Sequence, residues 1–331
     1  MHYAYQLKPH QNARYQQSLF ELSRKELECM LLSCGINVPV TERVLGGTPF
    51  LCFECDTLPP AAAAFLAAHS GLYLAAELKE DLLRPLSLPR PDYLPPDMPD
   101  ILKYKGKTNT AFTHLMINLA LAAGEMYKAP APCILDPICG HGTTLFCALT
   151  RGMNAVGIDS DRKSITEGAM YAQKWLQQNR VKHTCERTGR TVPGGKNAPE
   201  THITALLDEK RSVSFLLADT RSALHLMRKK PAHALVADLP YGVQHAPTEN
   251  GRMSTLETLL SDALPAWRQS LLPGAAAAIS FNTYTLKRHT LQKLMEDAGF
   301  TVLTQAPYDS FEHWVEQAVN RDVIVALNPK K

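Results

Sequence analysis

The chain has 331 residues, 45% of them hydrophobic and 20% charged, with a formal net charge of +3. A polymer of that length buries a sizeable core and is too long for one typical domain, so two units are expected. The mild charge admits a polyanionic partner but excludes the strongly basic composition of a nucleic-acid coat, and no stretch reaches the roughly 18 to 20 uninterrupted apolar residues of a membrane span.

Residues 1–15 carry His, Gln, Asn and Lys where a secretory leader has a basic start and an apolar run, which predicts a cytoplasmic protein. The eight cysteines are scattered, as expected of reduced thiols rather than a disulfide framework. Cys52 and Cys55 form a Cys-x-x-Cys pair, but within a strand-like run residues three apart point to opposite faces and cannot chelate one metal; both are read as structural cysteines.

In chain order, Tyr3 to Leu7 reads as a strand and Gln16 to Leu32 as an amphipathic helix. Thr48 to Cys55 is a second strand, Pro60 to His69 an Ala-rich helix and Leu72 to Leu78 a third strand. Residues 1–83 are thus expected to form a small α+β domain. Between 84 and 100, Pro85, Pro89, Pro91, Pro95, Pro96 and Pro99 argue against a helix or central strand and mark an inter-domain linker. From 101 to 331 helix and strand alternate, the signature of a parallel sheet covered on both faces. Its strands are expected at Cys133 to Leu135, Asn154 to Ile158, Ser214 to Leu217, Ala234 to Ala237 and Ala275 to Phe281, with Thr301 to Gln305 and Asp322 to Leu327 closing an edge. Residues 181–211 are polar, rich in Gly and Pro and too long for an ordinary connection. They are read as a mobile or partly disordered insertion in which a short hairpin has room.

Two strand ends carry the chemistry. After the first parallel strand comes Asp136-Pro137-Ile138-Cys139-Gly140-His141-Gly142-Thr143, where glycines let a ligand approach the backbone and a helix amino terminus offers unpaired amides. Leu145 stands where a dinucleotide-binding turn has its third glycine, which argues against a nicotinamide cofactor. Asp159, about twenty residues beyond the glycines, is placed to accept hydrogen bonds from ribose hydroxyls. Asp219, at the end of the third strand, has two readings: an acceptor for an adenine amino group, or a cap of the helix that follows.

After the fourth strand comes Asp238-Leu239-Pro240-Tyr241-Gly242. An exocyclic amino group on a base is a poor nucleophile. Its hydrogens must be accepted by oxygens while the nitrogen lone pair is aimed at an electrophilic methyl, a task for the Asp238 carboxylate and the Leu239 carbonyl with Tyr241 stacked on the base. Alone, such a turn is an ordinary loop after a buried strand; its position after the Asp136 turn in one doubly wound pattern is what raises it.

These two segments resemble the amino-methyltransferases with an Asp/Asn-Pro-Pro-Tyr signature. They are more closely similar to the RNA methylases that include the THUMP-containing tRNA guanine N2-methyltransferases, and Lys105-Gly-Lys-Thr-Asn109 looks like that group's segment before the first strand. The resemblance covers about Tyr104 to Phe281. It implies a Rossmann-like class I methyltransferase sheet of seven strands, a ferredoxin-like amino-terminal module, S-adenosyl-L-methionine as cofactor and structured RNA, most of all tRNA, as partner. It also implies a cofactor-binding set of Thr108, Asn109, Asp136, Cys139, Gly140, Gly142, Thr143, Asp159, Ser160, Asp219 and Thr220, with Thr108 and Asn109 near the methionine carboxylate. No metal is expected. Leu239 replaces the group's first proline, and the residues before the sheet are too few for a complete THUMP domain beside the ferredoxin-like module. A DNA adenine or cytosine amino-methyltransferase and a catalytically silent RNA-binding scaffold stand as alternatives.

Among secondary candidates, Gln244, His245 and Asn250 could gate the base pocket. Lys103, Tyr104, Lys105 and Lys107 could touch phosphates. Phe311 to Trp314 bring two aromatics towards the site, though packing within a hairpin is the commoner use of such residues.

Overall fold

The computed structural model describes residues 1–331 except 10–12, 81, 90, 91, 103, 105, 106, 192–196, 207–209, 228, 229, 241–247, 250, 251, 254, 255 and 331. The amino-terminal elements run β1 (His2–Leu7), α1 (Ala13–Ser33), β2 (Thr41–Leu45), β3 (Thr48–Glu54), α2 (Pro60–Leu66), β4 (Leu72–Lys79) and β5 (Leu82–Pro85). Their sheet has the order β2-β3-β1-β4-β5 with every pair antiparallel. A βαββαβ chain order on such a sheet is the ferredoxin-like arrangement expected from the sequence. β2 escaped the sequence reading because it is exposed along nearly its whole length, which leaves no alternation to see.

The proline-dense stretch needs a correction. It contributes Pro85 to edge strand β5, where a missing amide is tolerated, and it contains one helical turn, α3 (Met98–Ile101). Pro99 fits there because it lies in the first turn, where amide hydrogens have no intrahelical partner.

The remaining elements are α4 (Thr110–Ala123), β6 (Cys133–Asp136), α5 (Thr143–Thr150), β7 (Asn154–Asp159), α6 (Arg162–Gln178), β8 (His183–Thr191), β9 (Asn197–Leu206), β10 (Lys210–Leu217), α7 (Ala223–Met227), β11 (Ala232–Asp238), β12 (Thr248–Glu249), β13 (Arg252–Met253), α8 (Leu256–Gln269), β14 (Leu271–Asn282), α9 (Arg288–Asp297), β15 (Thr301–Val302), β16 (His313–Glu316) and β17 (Val319–Leu327). The large sheet is ordered β15-β17-β14-β11-β6-β7-β10-β9-β8, with β16 also paired to β17. β14, β11, β6, β7 and β10 are mutually parallel, and β17 is antiparallel to β14. Stripped of β8, β9 and β16, this is the Rossmann-like class I methyltransferase sheet, whose order reverses on either side of β6. The switch point opens a crevice at the carboxyl ends of β6 and β11.

The 181–211 segment is the main departure from expectation. It is largely a long hairpin, with β8 and β9 paired from His183↔Ala205 to Thr191↔Asn197 and β9 continuing the sheet beyond β10. Its sequence hides this because Cys185 is the one apolar side chain of β8, whose threonines stand among charged residues rather than alternating with apolar ones.

Alternation along the strands sorts the core into two layers. Ile134, Ala155, Ala234, Val236, Ala276, Ala278, Val323 and Val325 face α4, α5 and α6. Leu135, Leu235, Ala237, Ala277, Ile279 and Ile324 face α7, α8 and α9. By the same period of two, Asp136, Asp159, Asp238, Ser280, Asn282 and Arg321 all belong to the first face, at its carboxyl edge.

Candidate active site

The turn after β6 is shaped by its glycines. Gly140 has φ +51° and Gly142 φ +92°, the left-handed region that other residues rarely adopt, and Gly142 is the N-cap of α5. A Cβ on Gly142 would lie 2.7 Å from the Phe215 ring, so close packing also demands glycine there. The turn is fastened sideways to β7: the Gly140 amide donates to Asp159 Oδ2 at 2.8 Å and the Cys139 amide to the Ile158 carbonyl at 3.0 Å. Asp159 Oδ1 accepts from the Asp161 amide at 2.8 Å. Ser160 is exposed, and Cys139 is buried beneath the turn with its thiol pKa pushed well up by burial.

Asp136, 4% exposed, accepts a hydrogen bond from the Ile138 amide at 3.1 Å. Burial pushes its carboxyl up to about 7; hydrogen bonds from Thr144 and Ile138 oppose this, and the carboxylates of Asp159 and Asp238 add to it. The three acids at the ends of β6, β7 and β11 therefore share one electrostatic neighbourhood.

Asp238 is half-buried, and the hydroxyl of Thr108 donates to its Oδ2 at 2.5 Å. Leu239 is buried and its amide donates to the Ser280 carbonyl at 2.9 Å, which pins the turn to β14; Pro240 is half-buried. Tyr241 lies outside the described residues, as do Gln244, His245 and Asn250.

Several residues expected around the cofactor are engaged locally. Asn109 caps α4 by accepting from the Phe112 amide at 3.2 Å. Thr143 shares a 2.5 Å hydrogen bond with the Tyr104 hydroxyl. Asp219 follows its capping reading: it accepts from the Arg221 amide at 2.8 Å and from both sides of the Arg221 guanidinium at 3.0 and 2.7 Å, contacts that hold its carboxyl below the usual range. Thr220 accepts from Trp267 Nε1 at 2.9 Å and so turns towards the opposite layer of the core.

Two features exceed the sequence reading. Tyr104, weighed there as a phosphate contact, stacks on His141 of the glycine turn with ring centroids 4.1 Å apart, while His141 Nε2 lies 3.0 Å from Glu167. On the same face of the sheet as Asp238, the Arg321 guanidinium sits 4.4 Å over the ring of Phe112, and His313 packs against the same ring at 5.3 Å. Of the 311–314 aromatics, Phe311 is fully buried and Trp314 half-buried.

The strand order and the site at its switch point define the class I methyltransferase fold. No protein-family model and no curated protein matches the chain by sequence. Among solved structures it is similar to TrmN from Thermus thermophilus, at 19% identity and TM-score 0.42 over 90% of this chain and 64% of that one. It is also similar to the T. thermophilus 16S rRNA N2 G1207 methyltransferase RsmC, at 15% identity and TM-score 0.40 over 88% of this chain and 58% of that one. A third is the magnesium protoporphyrin IX methyltransferase of Synechocystis PCC 6803, at 12% identity and TM-score 0.41 over 68% of this chain and 88% of that one. The chain thus spans less than two thirds of the TrmN and RsmC chains.

Proposed function

We propose that the protein methylates an exocyclic amino group of a base in structured RNA, guanine N2 of tRNA in the first place, with S-adenosyl-L-methionine as methyl donor. The observation that carries this reading is the convergence of the loops after β6 and β11: a glycine turn tied to Asp159 and a carboxylate, Asp238, held by Thr108 on the same face of the sheet. The residues present fit that cofactor. Gly140 leaves open space above its Cα, Asp159 retains lone pairs for ribose hydroxyls, and the carboxylates of Asp136, Asp159 and Asp238 suit a neighbouring sulfonium cation.

When bound, the cofactor supplies an electrophilic methyl group; the chain supplies orientation. Thr108 fixes one oxygen of Asp238 and so helps to orient the carboxylate that accepts an incoming N–H. With that hydrogen accepted by Asp238 and the second by the Leu239 carbonyl, the nitrogen lone pair is presented for in-line displacement. The new N–C bond forms as the S–C bond breaks, and the surplus proton on nitrogen departs to solvent. The amino-terminal unit, residues 1–83, positions the RNA.

Labelled methyl transfer to total RNA and to DNA, followed by nucleoside analysis, tests the reading with wild type and Asp238→Ala. Label is expected in methylguanosine from RNA and is expected to fall by about 100-fold or more in the variant. Label in DNA alone, or undiminished transfer by the variant, overturns it.

A further inference from the structure

The link between α3 and α4 forms no helix or strand among its described residues, so side-chain contacts hold it in place. Two of these contacts land on the two loops that meet at the crevice. Tyr104 reaches the loop after β6: its ring stacks on His141 with centroids 4.1 Å apart and planes 22° from parallel, and its hydroxyl shares a 2.5 Å hydrogen bond with Oγ1 of Thr143, the first residue of α5. Four positions on, Thr108 reaches the end of β11 and donates to Asp238 Oδ2.

The Tyr104 anchor is itself held. His141 Nε2 lies 3.0 Å from Glu167 of α6, and Thr143 is buried. Burial pushes the Tyr104 hydroxyl up to about 12; the Thr143 hydrogen bond opposes this, and Asp136, Cys139 and Cys147 add to it. The hydroxyl is therefore neutral at neutral pH, and deleting it removes a hydrogen bond and no charge. A short turn joins this anchor to Thr108, because the amide of Lys107, the residue before it, donates to the Tyr104 carbonyl at 3.3 Å. A hydroxyl orients its partner only as firmly as its own backbone is held, so what fixes the link also fixes the carboxylate.

Resting on the amino-methylation reading above, we propose that Tyr104 is a positioning residue: anchored on the glycine turn, it holds the backbone of Thr108 and, through Thr108, the Asp238 carboxylate. The loop that carries the cofactor then also sets the orientation of the group that receives the target amine. The link has other anchors, Lys107 Nζ on the Pro99 carbonyl and the Asn109 cap of α4. If those sufficed, Tyr104 would be dispensable, and that is the alternative the test must separate.

A double-mutant cycle in kcat does so. Tyr104→Leu removes both the stack and the hydroxyl and is expected to lower kcat about tenfold or more, with the KM for S-adenosylmethionine within about threefold of wild type. Tyr104→Phe keeps the stack and should lie between the two. Because Tyr104 acts through Thr108, adding Tyr104→Leu to Thr108→Val should cost no more than about a further twofold. A second readout needs no substrate: the carboxyl carbon resonance of Asp238 in the NMR spectrum, assigned with Asp238→Asn, should move in Tyr104→Leu in the same direction as in Thr108→Val, and by less in Tyr104→Phe. Near-wild-type affinity for S-adenosylhomocysteine shows that the variants are folded; should Tyr104→Leu fail to fold, Tyr104→Phe carries both readouts. Losses that multiply in the double variant, or an Asp238 resonance that stays at its wild-type position when Tyr104 is changed, overturn the proposal. The underlying reading fails separately, by a wild type that transfers no methyl group to RNA, and the resonance test stands in that case too.

Discussion

Thr108 and Asp238 lie 130 positions apart in sequence, yet the threonine hydroxyl donates to the aspartate Oδ2 at 2.5 Å. The contact joins the segment entering α4 to the end of β11, so one oxygen of the carboxylate is already engaged before any substrate arrives. Thr108→Val removes this donor at nearly constant volume and so loosens the hold on the Asp238 carboxylate. The expected outcome is a fall in kcat of about 10- to 100-fold with cofactor affinity changed little, because orientation matters mainly in the transition state. Steady-state methyl transfer alongside cofactor calorimetry checks this, and an equal loss in both would instead place Thr108 in the cofactor pocket.

Asp136 gives a prediction with a definite sign. Its carboxyl titrates at about 7 in the folded chain against 3.8 ordinarily, so between those values the folded state holds a proton that the unfolded state has released. Stability from this group is complete below the lower value and declines as pH rises through the upper one. Asp136→Asn resembles the protonated acid and cannot ionise. It should stabilise the fold by on the order of 2 kcal/mol near pH 8 and be close to neutral near pH 4. Urea midpoints at the two pH values decide the matter; a difference that does not depend on pH would show that Asp136 is not a titrating, strained group.

The two glycines of the cofactor turn should respond differently to alanine. At Gly142 the new methyl group would meet Phe215 at 2.7 Å on a backbone with φ +92°, so a loss of about 2 to 4 kcal/mol is expected. At Gly140 nothing lies within 4 Å, so only the left-handed backbone is penalised, by about 1 to 2 kcal/mol. That open space is where the ligand is proposed to lie, so Gly140→Ala should fold and still bind S-adenosylmethionine at least about tenfold more weakly. Thermal unfolding and calorimetry on the pair separate the two effects, and intact binding by Gly140→Ala would remove the ligand from that side of the turn.

How much of this could be read from the sequence depended on burial. The strands at Cys133, Asn154, Ala234 and Ala275 are apolar runs between polar turns because both their faces are covered, and the acids and glycines that end them stand out against that background. β2 and β8 were obscure for the converse reason: exposed strands have no apolar alternation. Side-chain partners were hardest to foresee. Thr220 sits in the segment implied for the cofactor yet spends its hydroxyl on Trp267, 47 positions away, and no local pattern announces such a partner. Phe311 and Trp314 were legible as aromatics near the site, but the packing of His313, between them, on Phe112 depends on the register between β16 and β17.

The amino-terminal unit is held to the sheet unit by a buried polar knot, and that knot supplies the last prediction. Glu26 of α1 is fully buried and accepts from the Ser70 amide at 2.9 Å, the Ser70 hydroxyl at 2.5 Å and Asn118 Nδ2 of α4 at 2.6 Å. Asn118 also donates to the Ala68 carbonyl at 2.8 Å, so one helix of the large unit is bonded to two segments of the small one. Glu26→Ala would strand these donors in a dry interface and should cost about 3 to 5 kcal/mol, whereas Glu26→Gln keeps the shape and one acceptor and should cost about 1 to 2 kcal/mol. The loss should fall unequally. All three tryptophans, Trp175, Trp267 and Trp314, lie in the large unit, so tryptophan fluorescence reports its unfolding, while hydrogen exchange in β1, β3 and β4 reports the small one. In Glu26→Ala those strands are expected to lose protection well before the fluorescence transition moves, because the small sheet has less core of its own to fall back on. Unchanged protection in β1, β3 and β4 would show that apolar contacts such as the Phe65–Tyr127 stack, at 4.2 Å, hold the units together without the knot.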